Sequence, residues 1–216
     1  MIVAKLKGGL GNQMFQYAIG RALSLNYRVP LGLDTSFYDM SSYPKRQYDL
    51  GVFNIAGKVL SKNEIPALQR LVQKSKFLQK IIKHGGTEKS FQFDPKIFLR
   101  GSDLYLDGYW QSPKYFTGLE DIIRRDFTLK GPLPENILVL GEEIKKTNSV
   151  CVHVRRGDYV GNKSHEVVTL EYYQKGIKYI SEKTSIEKIY VFSDDIKWCQ
   201  ENFSFEMPTM FVDESF

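Results

Sequence analysis

The chain has 216 residues, of which 42% are hydrophobic and 25% charged, with a formal net charge of +5 and a pI near 9.0. This length and balance are typical of a globular protein of one large or two small domains that buries its core without disulfide bonds. No apolar run approaches the roughly 18 residues that span a bilayer, whereas the basic charge fits an anionic partner: nucleic acid, a phosphate-bearing ligand or a membrane surface.

The first predicted elements form a βαβ unit. A strand at "MIVAKL" leads through the glycine-rich turn "GGLGNQ" into a helix over about 13–26, where apolar residues recur at helical spacing. A second strand, "RVPLGLD", ends at Asp34. A strand, a glycine turn, a helix and a second strand indicate an α/β fold.

The glycine turn is a candidate anion site, because backbone N–H groups and the helix dipole face a ligand there. Gly9 and Gly11 begin a dinucleotide-binding fingerprint, and Asp34 lies at a suitable distance for a ribose contact. Met14, however, stands where the fingerprint needs a small residue. The sequence therefore leaves a dinucleotide site open but does not favour it.

The amides that follow the glycines need a separate explanation. Glycines alone indicate only a tight turn, which does not account for Asn12 and Gln13. Two amides at the rim of a turn offer hydrogen bonds to a polyhydroxylated or phosphorylated ligand. The structural alternative for Asn12 is a helix N-cap.

The middle of the chain is predicted as loop over 35–60, followed by an amphipathic helix over 66–83. The polar side of this helix is basic and holds Arg70, Lys74, Lys76, Lys80 and Lys83. A solvated face is the simpler interpretation, and contact with a membrane surface is the other.

A strand beginning at residue 104 runs into the aromatic loop "DGYWQSPKYF". Tyr109 and Trp110 beside Gln111 resemble a sugar-stacking platform with polar edges. We predict that these three residues bind an acceptor sugar, although aromatic side chains are as often part of a core.

The second half begins after "KGPLPEN" (130–136), which has two prolines and a glycine and is the candidate linker. We predict domains over 1–130 and 131–216. The elements expected in the second domain are a helix at 135–147, a strand at 149–154, a helix at 170–183, a strand at 188–193, a helix at 196–203 and a strand at 209–212. The strands are continuous apolar runs, as in a parallel sheet covered on both faces. We expect the natural chain to continue beyond Phe216, because three strands leave an apolar edge.

The segment "HVRRGDY" (153–159) follows the first of these strands, at the strand end where parallel sheets bind ligands. Arg155 and Arg156 can clamp a phosphate in a bidentate fork, and Asp158 can orient an arginine or take a substrate proton. A surface Arg–Asp network and a core His153 are the structural alternatives. The density of polar groups at one strand end favours a functional site.

The segment "FSDD" (192–195) ends the next strand, so Ser193, Asp194 and Asp195 should reach the same sheet edge as Arg155. A carboxylate there can accept hydrogen bonds from a guanine edge or bind a metal, but no second cluster of ligands accompanies it. The structural alternative is an N-cap, with one aspartate capping and the other binding.

The compartment is indicated by two features. Cys151 and Cys199 lie in apolar patterns, which predicts reduced thiols. "MIVAKL" is too short for the apolar core of a signal peptide. We expect a cytoplasmic protein, with peripheral attachment to the inner face of the membrane through the basic helix at 66–83 as the minority interpretation.

In this order, "GGLGNQMFQYA", "GYWQSPKYF", "HVRRGDY" and "FSDD" resemble the bacterial α-1,2-fucosyltransferases of glycosyltransferase family 11. The resemblance implies a GT-B-like α/β fold with two Rossmann-like domains facing across a cleft, an acceptor-side domain and a GDP-fucose-binding domain that is incomplete here. It also implies GDP-β-L-fucose as donor and a galactose-containing oligosaccharide or lipid-linked glycan as acceptor. The reaction would form an inverted α-1,2 linkage in O-antigen or surface polysaccharide synthesis, with no essential metal and no nucleic acid.

The resemblance also implies roles by position. Arg155 matches the arginine at the GDP pyrophosphate, and Asn12 matches an amide that faces the sugar and phosphate. With Asp158 as a candidate base, these are the expected catalytic residues, although a route without a dedicated base stays open. The expected donor-binding set is His153, Arg155, Arg156, Ser193, Asp194, Asp195, Gly9 and Gly11, and the expected acceptor-binding set is Gln13, Tyr109, Trp110 and Gln111. Family members usually continue with a serine- and tryptophan-rich segment that this sequence does not contain.

Three other functions stay open at this point. A nicotinamide oxidoreductase would have to tolerate the broken glycine fingerprint. A nucleic-acid binder would fit the charge, but no strand interleaves aromatic and basic residues. A glycan- or nucleotide-binding fragment without catalysis would use the same motifs.

Overall fold

The computed structural model describes residues 1–39, 46–65, 86–88, 90–161 and 168–213, except for the side chain of Asp158. The basic helix predicted at 66–83 lies outside these residues. The chain divides into two compact units, Met1–Pro132 and Leu133–Phe216. None of the described helices is long and apolar enough to cross a membrane.

The first unit is built on a parallel sheet. Its helices and strands are β1 (Ile2–Lys5), α1 (Leu10–Tyr27), β2 (Leu31–Asp34), β3 (Lys58–Val59), β4 (Gly86–Thr87), β5 (Leu104–Asp107) and α2 (Glu120–Asp126). The five strands lie in the order β3-β2-β1-β5-β4, and all their pairings are parallel. Short 3₁₀ helices occur at Ser36–Asp39, Leu50–Val52, Pro95–Leu99 and Pro113–Phe116.

The core of the first unit lies between β1, which is central in the sheet, and α1. Ile2 and Ala4 on the strand are fully buried, as are Tyr17, Ile19 and Leu23 on the helix. The helix begins at Leu10, three residues before the predicted start, because its first turn forms directly after Gly9 and includes Gly11. The polar ends of β1 and β5 are thereby placed beside the first turn of α1.

The second unit has a three-stranded parallel sheet. Its elements are α3 (Glu135–Lys146), β6 (Ser149–Val154), α4 (Leu170–Ser181), β7 (Lys188–Ser193), α5 (Ile196–Asn202) and β8 (Thr209–Val212), with a 3₁₀ helix at Gly157–Tyr159. The strand order is β6-β7-β8. Val154 pairs with Ser193 at the carboxyl ends of β6 and β7, so the polar segments that follow the two strands lie side by side.

One expectation about the second sheet is wrong. Cys151 and His153 are exposed, while Val152 and Val154 between and beyond them are buried. β6 therefore alternates, because one of its faces, with Val152 and Val154, packs against the described core while the face with Cys151 and His153 does not. Cys199, in contrast, is buried in α5 as its apolar pattern predicts.

Candidate active site

The loops after β6 and β7 meet through one carboxylate. Arg155 Nη1 lies 2.6 Å from Asp194 Oδ2, and Asp194 Oδ1 accepts hydrogen bonds from the backbone N–H groups of Arg156 at 2.8 Å and Gly157 at 3.2 Å. Burial raises the pKa of Asp194, but these backbone hydrogen bonds and the Arg155 charge outweigh it and hold the pKa below its usual value. A Cβ at Gly157 would lie 2.6 Å from Asp194 Oδ2, so this close approach needs glycine.

The two adjacent arginines have different surroundings. The Arg156 guanidinium lies 3.5 Å from the centroid of the Trp198 ring, and its Nε lies 3.2 Å from Asp195 Oδ2. The side chain of Arg156 is 16% exposed and that of Arg155 is 38% exposed. Asp195 also caps α5 by accepting a hydrogen bond from the Trp198 N–H at 3.4 Å. Arg156 and Asp195 thus hold α5 against the loop, and their predicted contact with the donor stays a prediction.

Ser193 also has a role within the protein. Its hydroxyl donates to the Val154 carbonyl at 2.8 Å and accepts from the Asp195 N–H at 2.9 Å. This bridge joins the ends of β6 and β7. Ser193 also lines the cavity at these strand ends, so its contact with the donor stays a prediction.

A cavity of about 670 Å³ opens beside this network. Its lining residues come from the ends of all three strands and include His153, Phe192, Asp194, Ile196, Val212 and Asp213. The volume is within the range of sites for small-molecule ligands. Of the predicted donor-side residues, His153, Ser193 and Asp194 therefore line one cavity beside Arg155.

In the first unit the turn depends on Gly8, the first glycine of the predicted turn, which was not among the predicted site residues. Its φ of +78° is in the left-handed region, and a Cβ there would lie 2.6 Å from Asn12 Nδ2. Gly9 is the N-cap of α1. Gly11 lies in the first helical turn, where a Cβ would meet nothing within 4 Å. Gly9 and Gly11 were predicted to bind donor, whereas the conformation of the turn depends on Gly8.

The prediction that Gln13 binds acceptor is wrong. Gln13 is 0% exposed. Its Oε1 accepts from the N–H groups of Asp49 at 2.9 Å and Leu50 at 3.4 Å. Its Nε2 donates to the carbonyls of Gln47 at 2.9 Å and Gly8 at 3.3 Å. Both polar atoms are used to fasten a distant loop and the glycine turn to α1, so none is left for a ligand.

Gln16 fixes the other side of the same turn. Its Oε1 accepts from the Lys7 N–H at 2.9 Å, and its Nε2 donates to the Lys7 carbonyl at 3.2 Å. Sequence reasoning did not select this buried amide, because a glutamine inside an apolar helix carries no local sign of a backbone partner.

Asn12 and Gln111, both predicted site residues, come together. Asn12 Oδ1 accepts a hydrogen bond from Gln111 Nε2 at 2.6 Å, across 99 positions of sequence. Asn12 is not the helix cap, since Gly9 holds that position. Tyr109 is half-buried, and the Lys7 ammonium lies 4.9 Å from its ring centroid. The first unit thus presents two amides and an aromatic ring beside the end of β1.

Trp110 does not bind acceptor sugar as predicted, because it is part of the core. It is 2% exposed, and its ring packs edge-on against Tyr115 with centroids 5.4 Å apart. Its φ of +56° lies in the left-handed region, which a bulky residue rarely adopts. The Glu88 carboxylate holds this backbone by accepting from the N–H groups of Tyr109 at 2.6 Å and Trp110 at 3.1 Å.

The geometry removes the main support for a dinucleotide site. Asp34, the proposed ribose ligand, is 0% exposed. Its Oδ2 accepts from the Tyr105 hydroxyl at 2.5 Å and its Oδ1 from the Ser36 N–H at 2.9 Å. A carboxylate used in this way cannot reach a ribose.

Two further assignments concern metal and base. Among the described residues, no three His, Cys, Asp or Glu side chains converge in a way that could hold a metal ion. Asp158 belongs to the 3₁₀ helix Gly157–Tyr159, but its side chain is outside the described part, so its role as base stays a prediction.

The chain is similar to several known proteins. The family model for glycosyl transferase family 11 matches residues 1–213. The chain is 37% identical to an alpha-1,2-colitosyltransferase of Escherichia coli, over 93% of this chain and 71% of that protein. It is 32% identical to the O-antigen biosynthesis glycosyltransferase WbnK of Escherichia coli, over 96% of this chain and 76% of WbnK. It is 30% identical to a galactoside 2-alpha-L-fucosyltransferase of Caenorhabditis elegans, over 93% of this chain and 54% of that protein.

Solved structures give the same fold. The fucosyltransferase NodZ from Bradyrhizobium has a TM-score of 0.53 at 14% identity, covering 99% of this chain and 78% of NodZ. NodZ alpha-1,6-fucosyltransferase co-crystallized with GDP also has a TM-score of 0.53, at 15% identity and with the same coverage. At these identities the likeness concerns the fold, and it confirms the GT-B-like α/β class predicted from the motifs. With a family model matched over nearly its whole length and a 37% identical relative, the chain belongs to glycosyltransferase family 11.

Proposed function

We propose that this glycosyltransferase transfers L-fucose from GDP-β-L-fucose to the 2-hydroxyl of a galactose-containing glycan, in O-antigen or surface polysaccharide synthesis. The observation that carries the proposal is the Arg155–Asp194 pair, at 2.6 Å, beside a cavity at the carboxyl ends of β6 and β7. The names of the relatives, which include an α-1,2-colitosyltransferase and a galactoside 2-fucosyltransferase, support the linkage and the sugar class.

Arg155 is the group that would meet the donor phosphates. It is more than twice as exposed as Arg156, 38% against 16%, and a planar guanidinium fits phosphate oxygens. The Asp194 carboxylate pairs with Nη1 of Arg155. It also accepts hydrogen bonds from the N–H groups of Arg156 and Gly157, so it holds the backbone next to Arg155 as well. A charge fixed in this way needs no reorganisation when the phosphate becomes more negative.

The proposed reaction is a single displacement. The acceptor 2-oxygen forms a bond to the anomeric carbon from the face opposite the phosphate, while the bond from that carbon to the phosphate oxygen breaks. GDP leaves with the electron pair, and inversion converts the β-linked donor into an α-1,2 product. The hydroxyl proton passes to a base, for which Asp158 is our candidate, or to solvent in a dissociative route without a dedicated base.

We also propose that no divalent metal is essential, because the Arg155 guanidinium would supply the positive charge that stabilises leaving GDP. Transfer rates measured with excess EDTA and with added Mg²⁺ should then agree. A rate that falls to background with EDTA and returns with Mg²⁺ would refute this part of the proposal.

A colitosyl donor is the second candidate. The relative that is 37% identical carries the name of a colitosyltransferase, and colitose is the 3-deoxy counterpart of fucose. The cavity at the ends of β6, β7 and β8, about 670 Å³ in volume, offers no described contact that separates a sugar with a 3-hydroxyl from one without it.

The test is transfer from GDP-fucose and, in parallel, GDP-colitose to methyl β-D-galactoside, with product linkage read by NMR. We expect an α-1,2 product with one of the donors and no product with methyl 2-deoxy-β-D-galactoside, which lacks the attacked hydroxyl. Release of GDP without a glycoside product would indicate a hydrolase. Binding of both substrates without GDP release would indicate a binding module.

A further inference from the structure

Glu88 was not among the predicted site residues, and it lies directly after β4 in the first unit. Its backbone N–H donates to the Asp107 carbonyl at 3.1 Å, which extends the parallel contact of β4 with β5 beyond the last paired residues, Thr87 and Asp107. The side chain of Glu88 is therefore set beside the loop that leaves the end of β5.

The Glu88 carboxylate accepts hydrogen bonds from two consecutive backbone N–H groups of this loop. Oε2 accepts from the Tyr109 N–H at 2.6 Å, and Oε1 accepts from the Trp110 N–H at 3.1 Å. Hydrogen bonds to an ionised acceptor are stronger than those between neutral groups, so the pair fixes both peptide groups. Gly108 makes room for this contact, because a Cβ there would lie 2.4 Å from Glu88 Cβ.

The backbone held by Glu88 has a costly conformation. The φ of +56° at Trp110 persists in a bulky residue only where the surrounding contacts determine it. Burial of the indole ring holds the side chain, whereas the two hydrogen bonds to Glu88 hold the peptide groups. On the other side, the Ser112 N–H donates to the Trp110 carbonyl at 2.7 Å. Gln111 therefore extends from a backbone that is fixed on both of its sides.

This loop brings Gln111 to the first turn of α1, where its Nε2 donates to Asn12 Oδ1 at 2.6 Å. Gln111 is exposed, so burial does not hold its side chain, and its position depends on the backbone from which it extends. The contacts thus run in one chain, from the Glu88 carboxylate through the loop backbone and Gln111 to Asn12.

We propose that Glu88 is a positioning residue of the transferase and acts on turnover only through the pair formed by Gln111 and Asn12. The inference rests on the proposed function, because Asn12 is one of its expected catalytic residues. The competing role is direct contact of Glu88 with a ligand, since Glu88 also lines a cavity of about 340 Å³. A residue that acts through a neighbour loses its effect when that neighbour is removed, whereas independent contacts have additive effects on free energy.

A double-variant cycle on kcat separates the two roles. Glu88→Gln keeps the side-chain volume but replaces one accepting oxygen with a donating NH₂ group. It should lower kcat about 10- to 100-fold through misplacement of Asn12, with little change in the KM for donor. In a chain that carries Gln111→Ala, the same change should alter kcat by less than about twofold. The proposal is overturned if the effects of the two changes multiply, or if Glu88→Gln alone keeps the wild-type kcat.

Glu64→Gln is the matched control for these kinetics. Glu64 also accepts a backbone N–H, that of Ser61 at 3.0 Å, in the same unit but away from the loop after β5. Its loss should leave kcat unchanged. An equal fall in kcat for Glu64→Gln and Glu88→Gln would mean that any loosened turn slows the reaction, which contradicts a specific role for Glu88.

A second measurement does not depend on transfer. The side-chain amide signals of Gln111 in a nitrogen–proton correlation spectrum are identified by their loss in Gln111→Ala. They should move toward the position of a free glutamine in Asn12→Ala and in Glu88→Gln, but not in Glu64→Gln. Glu88→Asp, whose carboxylate is one methylene further from the two N–H groups, serves in both measurements if Glu88→Gln does not fold.

The two measurements distinguish this inference from the proposed function. Unmoved Gln111 signals in the Glu88 variant would overturn the inference whatever the activity. If the signals move as expected but the wild-type chain forms no glycoside, the proposed function fails, while the placement of Gln111 by Glu88 stands.

Discussion

At the scale of residues, neighbouring side chains of the same type have different roles in this chain. Arg155 and Arg156 are adjacent, yet one lies beside the cavity and the other is stacked on Trp198. Asn12 and Gln13 are adjacent amides, yet one bonds another predicted site residue and the other fastens a buried loop. Roles at this scale follow from which face of the backbone each side chain leaves, so they can be tested in matched pairs.

Arg155→Lys should lower kcat by on the order of 10²–10³, as for other donors aimed at developing charge, with little change in Tm. A lysine keeps the charge but loses the planar fork. Arg156→Lys is the comparison and should mainly reduce stability, by about 0.5–2 kcal/mol, through weaker stacking on Trp198. Steady-state kinetics and thermal melting on the same samples check both. A near-normal kcat for Arg155→Lys would show that this arginine is peripheral to the chemistry.

Asn12→Ala should lower turnover with little change in the KM for donor, as expected for a contact made in the transition state. Gln111→Ala should have a similar effect if their 2.6 Å hydrogen bond positions Asn12. Gln13→Ala should instead cost about 1–3 kcal/mol of stability, because the N–H groups of Asp49 and Leu50 lose their acceptor. The assignment fails if Asn12→Ala melts early but keeps its activity per folded molecule.

At the scale of elements, α1 and α2 are joined by a buried polar cluster. Tyr17 donates to Asp126 Oδ2 at 2.6 Å and accepts from the Ala56 N–H at 2.9 Å. Arg21 Nε donates to the same carboxylate oxygen at 2.9 Å. Burial raises the pKa of Tyr17, and the hydrogen bond to Asp126 raises it further, so the phenol stays protonated and keeps donating.

Asp126→Asn should therefore reduce the free energy of unfolding by about 1–3 kcal/mol, because Tyr17 and Arg21 lose a charged acceptor where water reaches poorly. Urea denaturation with matched m-values is the measurement. The control is Asp121→Asn on the same helix, whose side chain is 94% exposed and pairs with Arg124. The free energy of unfolding of Asp121→Asn should stay within about 0.5 kcal/mol of the wild-type value. Equal losses in the two variants would mean that the cluster adds nothing beyond a surface ion pair.

At the scale of the whole molecule, sequence reasoning predicted the elements that are long and apolar. The strands at 149–154, 188–193 and 209–212 have the predicted bounds, because each is a short, mostly apolar segment set off by polar residues. It missed β3 and β4, which have two residues each and are defined only by their neighbours in the sheet.

Sequence reasoning predicted the part of the candidate site that follows from strand topology. Arg155 and Asp194 meet because the carboxyl ends of the neighbouring parallel strands β6 and β7 lie at the same edge of the sheet. Gln13 and Trp110 were assigned wrongly because their burial depends on partners far along the chain, the loop at 47–50 and the Glu88 carboxylate. No local pattern carries that information, and the φ of +56° at Trp110 is unusual for a bulky residue.

The central claim is that GDP binds at the carboxyl ends of β6 and β7, and amide hydrogen exchange with and without GDP tests it most directly. The account predicts that GDP slows exchange in peptides covering 155–157 and 193–195, where the N–H groups of Arg156 and Gly157 bond Asp194. Arg155→Lys should reduce this protection. Protection confined to the glycine turn at 8–12, with none at 155–157, would contradict the account.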